Sequence, residues 1–215
     1  LPVIAIDGPA GSGKSTVARA VAEQLGMAYL DTGAMYRAVA FAALRRGIDP
    51  DDRATIARLV KQLDIDVGDK VTVDGVDATV EIRGPEVTRA VSAVAANPAV
   101  RTELNRRQRE WSDLHGGGVI EGRDIGSVVF PEAEVKVYLT ASNSERAARR
   151  TKEVLDMDYD QVAADIARRD HIDSNRADAP LTVPGGAVTL DTTGHSVDQV
   201  VDQVLELTKH IAGQP

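Results

Sequence analysis

The run Gly8-Pro9-Ala10-Gly11-Ser12-Gly13-Lys14-Ser15-Thr16 constrains this chain more than any other stretch. It matches G-x-x-x-x-G-K-[ST], a short apolar run precedes it at residues 3–6, and Val17, Ala18, Val21, Ala22 and Leu25 follow it at helical spacing. A buried strand that turns through glycines into a helix leaves several backbone N–H groups without intrahelical partners. Residues without Cβ let those groups converge, and the helix N-terminus adds a favourable field, so the turn suits a phosphate. Lys14 is placed to reach the β- and γ-phosphates of a nucleoside triphosphate, and the Ser15 hydroxyl to ligate Mg²⁺. A glycine-rich turn with a solvent-exposed lysine is the plainer alternative, and the flanking strand and helix argue against it.

The rest of the chain alternates the same two kinds of element. A second short strand is expected at residues 28–30, and a helix from Asp31-Thr32-Gly33 to about residue 46, with Thr32 as a possible cap. Residues 56–63 continue in helical spacing. Residues 65–83 change character: Val71, Val73, Val76, Val80 and Ile82 sit among polar residues, and Asp74-Gly75 signals a hairpin, so a small antiparallel insertion is expected. Helices are predicted at about 86–96 and 99–115, separated at Asn97-Pro98, and at about 144–155 and 161–173. Buried strands are predicted at 119–120, 135–139 and 188–190, and a last helix carries Val197, Val200, Val201, Val204, Leu205, Thr208 and Ile211 on one stripe. This alternation predicts an α/β fold, a parallel sheet covered by helices on both faces.

Composition narrows the function classes. With 25 Lys and Arg against 33 Asp and Glu the net charge is −8, which disfavours nucleic acid and anionic membranes as partners. Cysteine is absent, so disulfides, thiol catalysis and cysteine-held metals are excluded. Aromatics at 3% leave little for base-stacking platforms, and no apolar run approaches the ~18 residues of a membrane span. A cytoplasmic protein is expected. No surplus apolar helix face calls for a partner, so a monomer is the default.

Several charged groups sit where a second anion could bind. Thr32 and Arg37 share the start of one helix; they suit a phosphate, or else form an ordinary cap with a surface arginine. Gly122-Arg123-Asp124-Ile125-Gly126 directly follows a buried strand, at the sheet edge where open α/β folds place ligands. Arg169, Asp173 and Arg176 lie at i, i+4 and i+7, and Arg146, Arg149 and Arg150 cluster on the preceding helix. Such clusters read either as solvated faces or as stabilisers of a transferring phosphoryl group. No guanine-reading N-K-x-D occurs, and Val119-Ile120-Glu121 and Val3 to Asp7 only roughly match an apolar strand ending in an acidic Mg²⁺ partner.

Five segments occur in one order: Ile6-Asp7-Gly8-Pro9, Leu30-Asp31-Thr32-Gly33-Ala34-Met35-Tyr36-Arg37, Gly122 to Gly126, Val129-Phe130-Pro131, and Arg169-Asp170 to Asn175-Arg176. Together they resemble the bacterial cytidylate kinases over nearly the whole chain. The resemblance implies a nucleoside monophosphate kinase fold with a five-stranded parallel core at about 1–30, 117–145 and 177–215. It implies a monophosphate-binding region at about 31–116, with the β insertion at 65–83, and a helical lid at about 146–176 closing over residues 151–160. The activity it implies is Mg²⁺-dependent transfer of the ATP γ-phosphoryl group to CMP or dCMP.

By the same resemblance Thr32, Tyr36, Arg37 and Arg123 hold the acceptor phosphate, and Ser92, Arg101 and Asp124 read the cytosine. Arg169, Asp173 and Arg176 hold ribose and phosphate, while Lys14, Arg123, Arg169 and the lid arginines Arg149 and Arg150 stabilise charge in transit. Thr32 stands where many relatives have Ser, and either hydroxyl can donate. A carboxylate accepts from the amino group of cytosine, whereas the carbonyl of uracil would face it unfavourably. Two other readings remain: a kinase of similar fold acting on UMP or shikimate, and an ATP-binding regulatory module without a small acceptor.

Overall fold

A strand paired on both sides must be apolar on both faces, and Ile4, Ala5 and Ile6 are each at most 1% exposed. They belong to β1 (Val3–Asp7) in a computed structural model that describes residues 2–153, 158–175 and 179–209. With β2 (Tyr29–Asp31), β6 (Gly118–Gly122), β7 (Val135–Thr140) and β8 (Val188–Asp191) it forms a five-stranded sheet in the order β2-β6-β1-β7-β8. The pairings of β1 with β6, β1 with β7 and β7 with β8 are parallel, as the alternation of strands and helices predicts. Register places Asp7 beside Gly122 and Tyr138. The phosphate loop therefore leaves the middle of the sheet at its carboxyl end, where neighbouring connections diverge and ligands bind.

Helices α1 (Lys14–Leu25) and α8 (Val197–Thr208) bury Val17, Val21, Val200, Val201 and Val204 with Ile4, Ile6, Val119, Val137 and Leu139. Each such side chain stabilises the fold by ~1.5–3 kcal/mol. A reciprocal capping box between Ser196 and Gln199 starts α8. Helices α6 (Asn143–Glu153) and α7 (Tyr159–Asn175) pack through Ala147, Val162 and Ile166. Part of the expected lid, residues 154–157, lies outside the described residues.

The chain divides into two compact units, Leu1–Tyr29 with Ser112–Pro215, and Leu30–Trp111. In the smaller, α2 (Thr32–Arg45) and α3 (Arg53–Gln62) are followed by a three-stranded antiparallel sheet of β3 (Ile65–Val67), β4 (Val71–Val73) and β5 (Val76–Asp77). Strand structure ends at Asp77, short of the expected residue 83: Val80 is exposed, while Ile82 is buried from a 3₁₀ turn at Glu81–Arg83. Helices α4 (Pro85–Ala95) and α5 (Pro98–His115) are separated by Asn97, whose side chain accepts from the Ala99 N–H and donates to the Arg53 carbonyl. The cap of α2 is Asp31, not Thr32. The Asp31 carboxylate accepts from the Ala34 N–H at 2.9 Å, because Asp31 is still extended while Thr32 is already in the helix.

Gly8 gives the sharpest test of the central turn. Its φ is +152°, and a Cβ there would lie 2.1 Å from the Leu139 carbonyl oxygen. Gly8→Ala is therefore expected to destabilise the protein by about 3 kcal/mol or more, read from the urea unfolding midpoint. A loss below about 0.5 kcal/mol would mean that β1 does not approach β7 as closely as described.

Candidate active site

In the larger unit the phosphate loop is bonded by its carbonyls. The Gly8 carbonyl accepts from Arg123 Nη1 at 2.5 Å, that of Pro9 from Lys14 Nζ at 2.7 Å, and that of Ala10 from Arg146 Nη1 at 3.0 Å. The Ser12 carbonyl accepts from the Thr192 hydroxyl at 3.2 Å, and that of Gly13 from the Val17 N–H at 3.1 Å. Gly13, at φ 87°, is the residue before α1, and as a glycine it offers that helix no side-chain cap. A bare N-terminus at the end of a donor-lined turn is an anion site.

Three cations converge there. Lys14 is 9% exposed, and burial first, then the Arg123 charge, lowers its ammonium from 10.5 to about 7, with Arg169 adding to the effect and Glu121 and Asp7 opposing it. Burial and Arg123 lower Arg169 to about 10, and Arg150 contributes. Arg123 Nε donates to Asp173 Oδ2 at 3.0 Å, and Arg169 Nε lies 4.0 Å from the same oxygen. The i, i+4 spacing of Arg169 and Asp173 is thus realised on α7; Arg176 lies outside the described residues.

Two lid candidates stand apart in their bonding. Arg149 donates to the hydroxyl and the carbonyl of Thr192, each at 2.8 Å, and to Glu145 at 3.1 Å. Arg150 instead acts on Arg169 through its charge. Arg146 pairs with Asp170, which also accepts from the Ala10 N–H at 3.3 Å. Sequence reasoning assigns no role to Asp170 or Thr192, and gives Glu121 only a rough match to an acidic Mg²⁺ partner. Glu121 is 3% exposed and accepts from the Tyr29 hydroxyl; its only signal was the apolar strand that it ends. Asp124, 5% exposed, precedes a single π turn at Ile125–Val129.

The smaller unit carries its own set. Tyr36 and Arg37 are buried on α2, one turn beyond Thr32. Arg37 Nη1 donates to the Ile82 carbonyl at 3.1 Å and to the Thr88 hydroxyl at 3.0 Å. Arg101 is 2% exposed, and its guanidinium carbon lies 5.9 Å from the centre of the Tyr36 ring. Ser92 is half-buried on α4, four residues after Thr88 and hence on its face. On α5 the polar stripe continues past Arg101 through Asn105 and Gln108, whose Oδ1 and Oε1 are buried without a hydrogen-bond partner among the described residues. Polar residues at i, i+4 and i+7 on a buried face were the signal for them.

The family model described as "Cytidylate kinase" matches residues 4–210. A cytidylate kinase of Mycobacterium leprae is 48% identical over 216 residues, covering 98% of this chain and 97% of that protein. A bifunctional pantoate ligase/cytidylate kinase of Parasynechococcus marenigrum is 48% identical over 95% of this chain, which spans only 43% of that longer protein. Among solved structures, a shikimate kinase from Acinetobacter baumannii in complex with shikimate aligns over 100% of this chain with a TM-score of 0.52 and 17% identity. That last likeness concerns the fold alone.

Proposed function

The chain belongs to the cytidylate kinase family, and from that premise we propose that it transfers the γ-phosphoryl group of ATP to CMP or dCMP, giving ADP and CDP or dCDP. One observation carries the reading in the larger unit. Lys14, Arg123 and Arg169 are held together although Arg123 disfavours the charge of both others. Like cations gathered at a helix N-terminus are stabilised by an anion placed among them.

In this mechanism Lys14 leaves the Pro9 carbonyl for the β- and γ-phosphates, and the loop N–H groups hold the chain of phosphates. The attacking phosphate oxygen of CMP is already anionic near neutral pH, so no strong general base is needed. Catalysis is alignment of that oxygen with the γ-phosphorus, together with charge stabilisation by Lys14, Arg123 and Arg169. Of the lid arginines, we assign the transferring group to Arg150 and the bracing of the loop to Arg149. The described residues include no cluster of three or more His, Asp or Glu able to cage a metal. The Ser15 hydroxyl, exposed in the first turn of α1, is an oxygen donor of the kind Mg²⁺ takes and would hold it together with nucleotide phosphates and water. When bound, the ion supplies charge neutralisation at the β- and γ-oxygens.

In the smaller unit Thr32, Tyr36 and Arg37 are assigned to the acceptor phosphate, and Arg101 and Ser92 to the base. In the larger, Asp124 accepts from the cytosine amino group, and Asp173 and Arg176 take ribose and phosphate. The reading further takes the protein as a cytoplasmic monomer acting on small nucleotides.

Asp124→Ala is expected to lower kcat/KM for CMP roughly tenfold to a hundredfold while changing UMP use less. Coupled ADP-formation assays with CMP, dCMP, UMP and shikimate measure this. An unchanged CMP-to-UMP ratio removes Asp124 from base reading. If the unmodified protein turns over none of these acceptors above the ATP-only blank, the kinase assignment gives way to an ATP-binding module.

A further inference from the structure

Asp7 ends β1 one residue before the phosphate loop and is fully buried, yet no step of the transfer uses it. Its two oxygens accept from different backbone groups: Oδ1 from the Ile125 N–H and Oδ2 from the Gly126 N–H, each at 2.7 Å. Those residues open the π turn at Ile125–Val129 and directly follow Arg123 and Asp124. Within the turn the Asp124 carbonyl accepts from Val128 and Val129, and that of Ile125 from Phe130. The first N–H groups of such a turn have no acceptor inside it and need one from elsewhere.

A carboxylate meets that need with one acceptor for each N–H. A neutral carboxamide accepts at its oxygen and turns a donor toward the second N–H. The charge is held at a cost. Burial raises Asp7 from 3.8 to about 6, and the nearby Asp124 adds to this, while the two backbone bonds and Lys14 of α1 oppose it. From β7, Tyr138 faces the same carboxylate. Closing a parallel sheet requires no buried charge at this position, so the carboxylate calls for another reason.

We propose that Asp7 is a positioning residue for acceptor recognition: its carboxylate fixes the backbone at Ile125 and Gly126, and thereby the placement of Arg123 and Asp124. One side chain then ties the strand that feeds the phosphate loop to the segment that reads the acceptor. The inference rests on the assignment of Arg123 and Asp124 to CMP. Protonation turns one oxygen into a hydroxyl, a poorer acceptor, and so weakens one of the two bonds. Acceptor binding therefore weakens as pH falls through about 6, which is where Asp7 gains its proton.

The sign for stability is the reverse of the usual carboxylate. Between 3.8 and about 6 the unfolded chain has lost the proton that the folded chain keeps, so the contribution of Asp7 falls as pH rises across that window. Asp7→Asn removes this trend, and its midpoint relative to the unmodified protein should improve from pH 4 to pH 7.

Two measurements decide the matter. In steady-state assays at pH 7.5, Asp7→Asn is expected to raise the KM for CMP about tenfold and that for ATP less than about threefold. Lowering pH to 5.5 should raise the CMP KM further only in the unmodified protein, after the titration of CMP itself, common to both, is subtracted. In the full ¹⁵N-labelled protein, the Ile125 and Gly126 amide protons should titrate together with a midpoint near 6. The second measurement needs no variant and no activity, so it tests the Asp7 bonds even if CMP proves not to be the acceptor. Flat amide shifts between pH 5 and 7, or a folded Asp7→Asn with an unchanged CMP KM, overturn the proposal. A lower melting temperature with equal changes in both KM values overturns it too, leaving Asp7 a purely structural residue.

Discussion

Lys14→Met is expected to lower kcat for CMP-dependent ADP formation by about a thousandfold or more, with the fold intact. Methionine keeps the length and most of the volume of lysine and can occupy the same channel without a charge. What disappears is an ammonium that sits inside the loop, bonded to the Pro9 carbonyl and 3.5 Å from the Ser12 hydroxyl. Folding should tolerate the change, because the ammonium is already disfavoured there by burial and by two neighbouring guanidinium groups. Circular dichroism and single-turnover kinetics check both halves of the expectation. A folded variant within tenfold of the unmodified kcat would place the ammonium away from the transferring group.

Arg123→Ala is expected to lower kcat/KM for CMP by about a hundredfold to a thousandfold, and the KM for ATP much less. Arg123 reaches two places at once, with Nε on Asp173 and Nη1 on the Gly8 carbonyl. Lysine, with a single point of charge, cannot span both, so Arg123→Lys should recover only a small part of the loss. Full recovery by lysine would show that charge alone matters, and equal loss toward ATP and CMP would move Arg123 to the donor nucleotide.

How far each of these residues could be read in advance follows from the range of the forces that place it. Gly13 and Lys14 are set by their immediate neighbours, and Arg169 meets Asp173 through one helical turn, so local spacing reveals both. The cap of α2 lies at the limit of that reach: two adjacent residues can cap, and the Asp31 carboxylate, not the Thr32 hydroxyl, meets the Ala34 N–H. The π turn at Ile125–Val129 is held by Asp7 across more than a hundred residues, and no period in its own sequence announces it. Arg149 has the same helical spacing as its neighbours, yet its guanidinium binds Thr192, 43 residues further on. Val80 and Ile82 continue the alternation of a strand, but burial of Ile82 in a 3₁₀ turn ends it. Periodicity reports which face is apolar; it does not report which distant group meets a polar side chain.

A peptide group is a dipole with two ends, and over most of the phosphate loop the negative ends are already occupied. The carbonyls of Gly8, Pro9, Ala10, Ser12 and Gly13 each accept a hydrogen bond from the protein itself. Apart from the Ala10 N–H, which Asp170 already holds, the loop can therefore offer an incoming ligand its positive ends, and a cation approaching the same peptides competes with donors already in place. Selectivity for the sign of charge is in this sense built into the framework before any ligand arrives. Lys14 and Arg123, two of these donors, are themselves the cations assigned to phosphate. Drawing them onto a nucleotide would release the Pro9 and Gly8 carbonyls, so the loop's backbone polarity becomes least one-sided when an anion fills it.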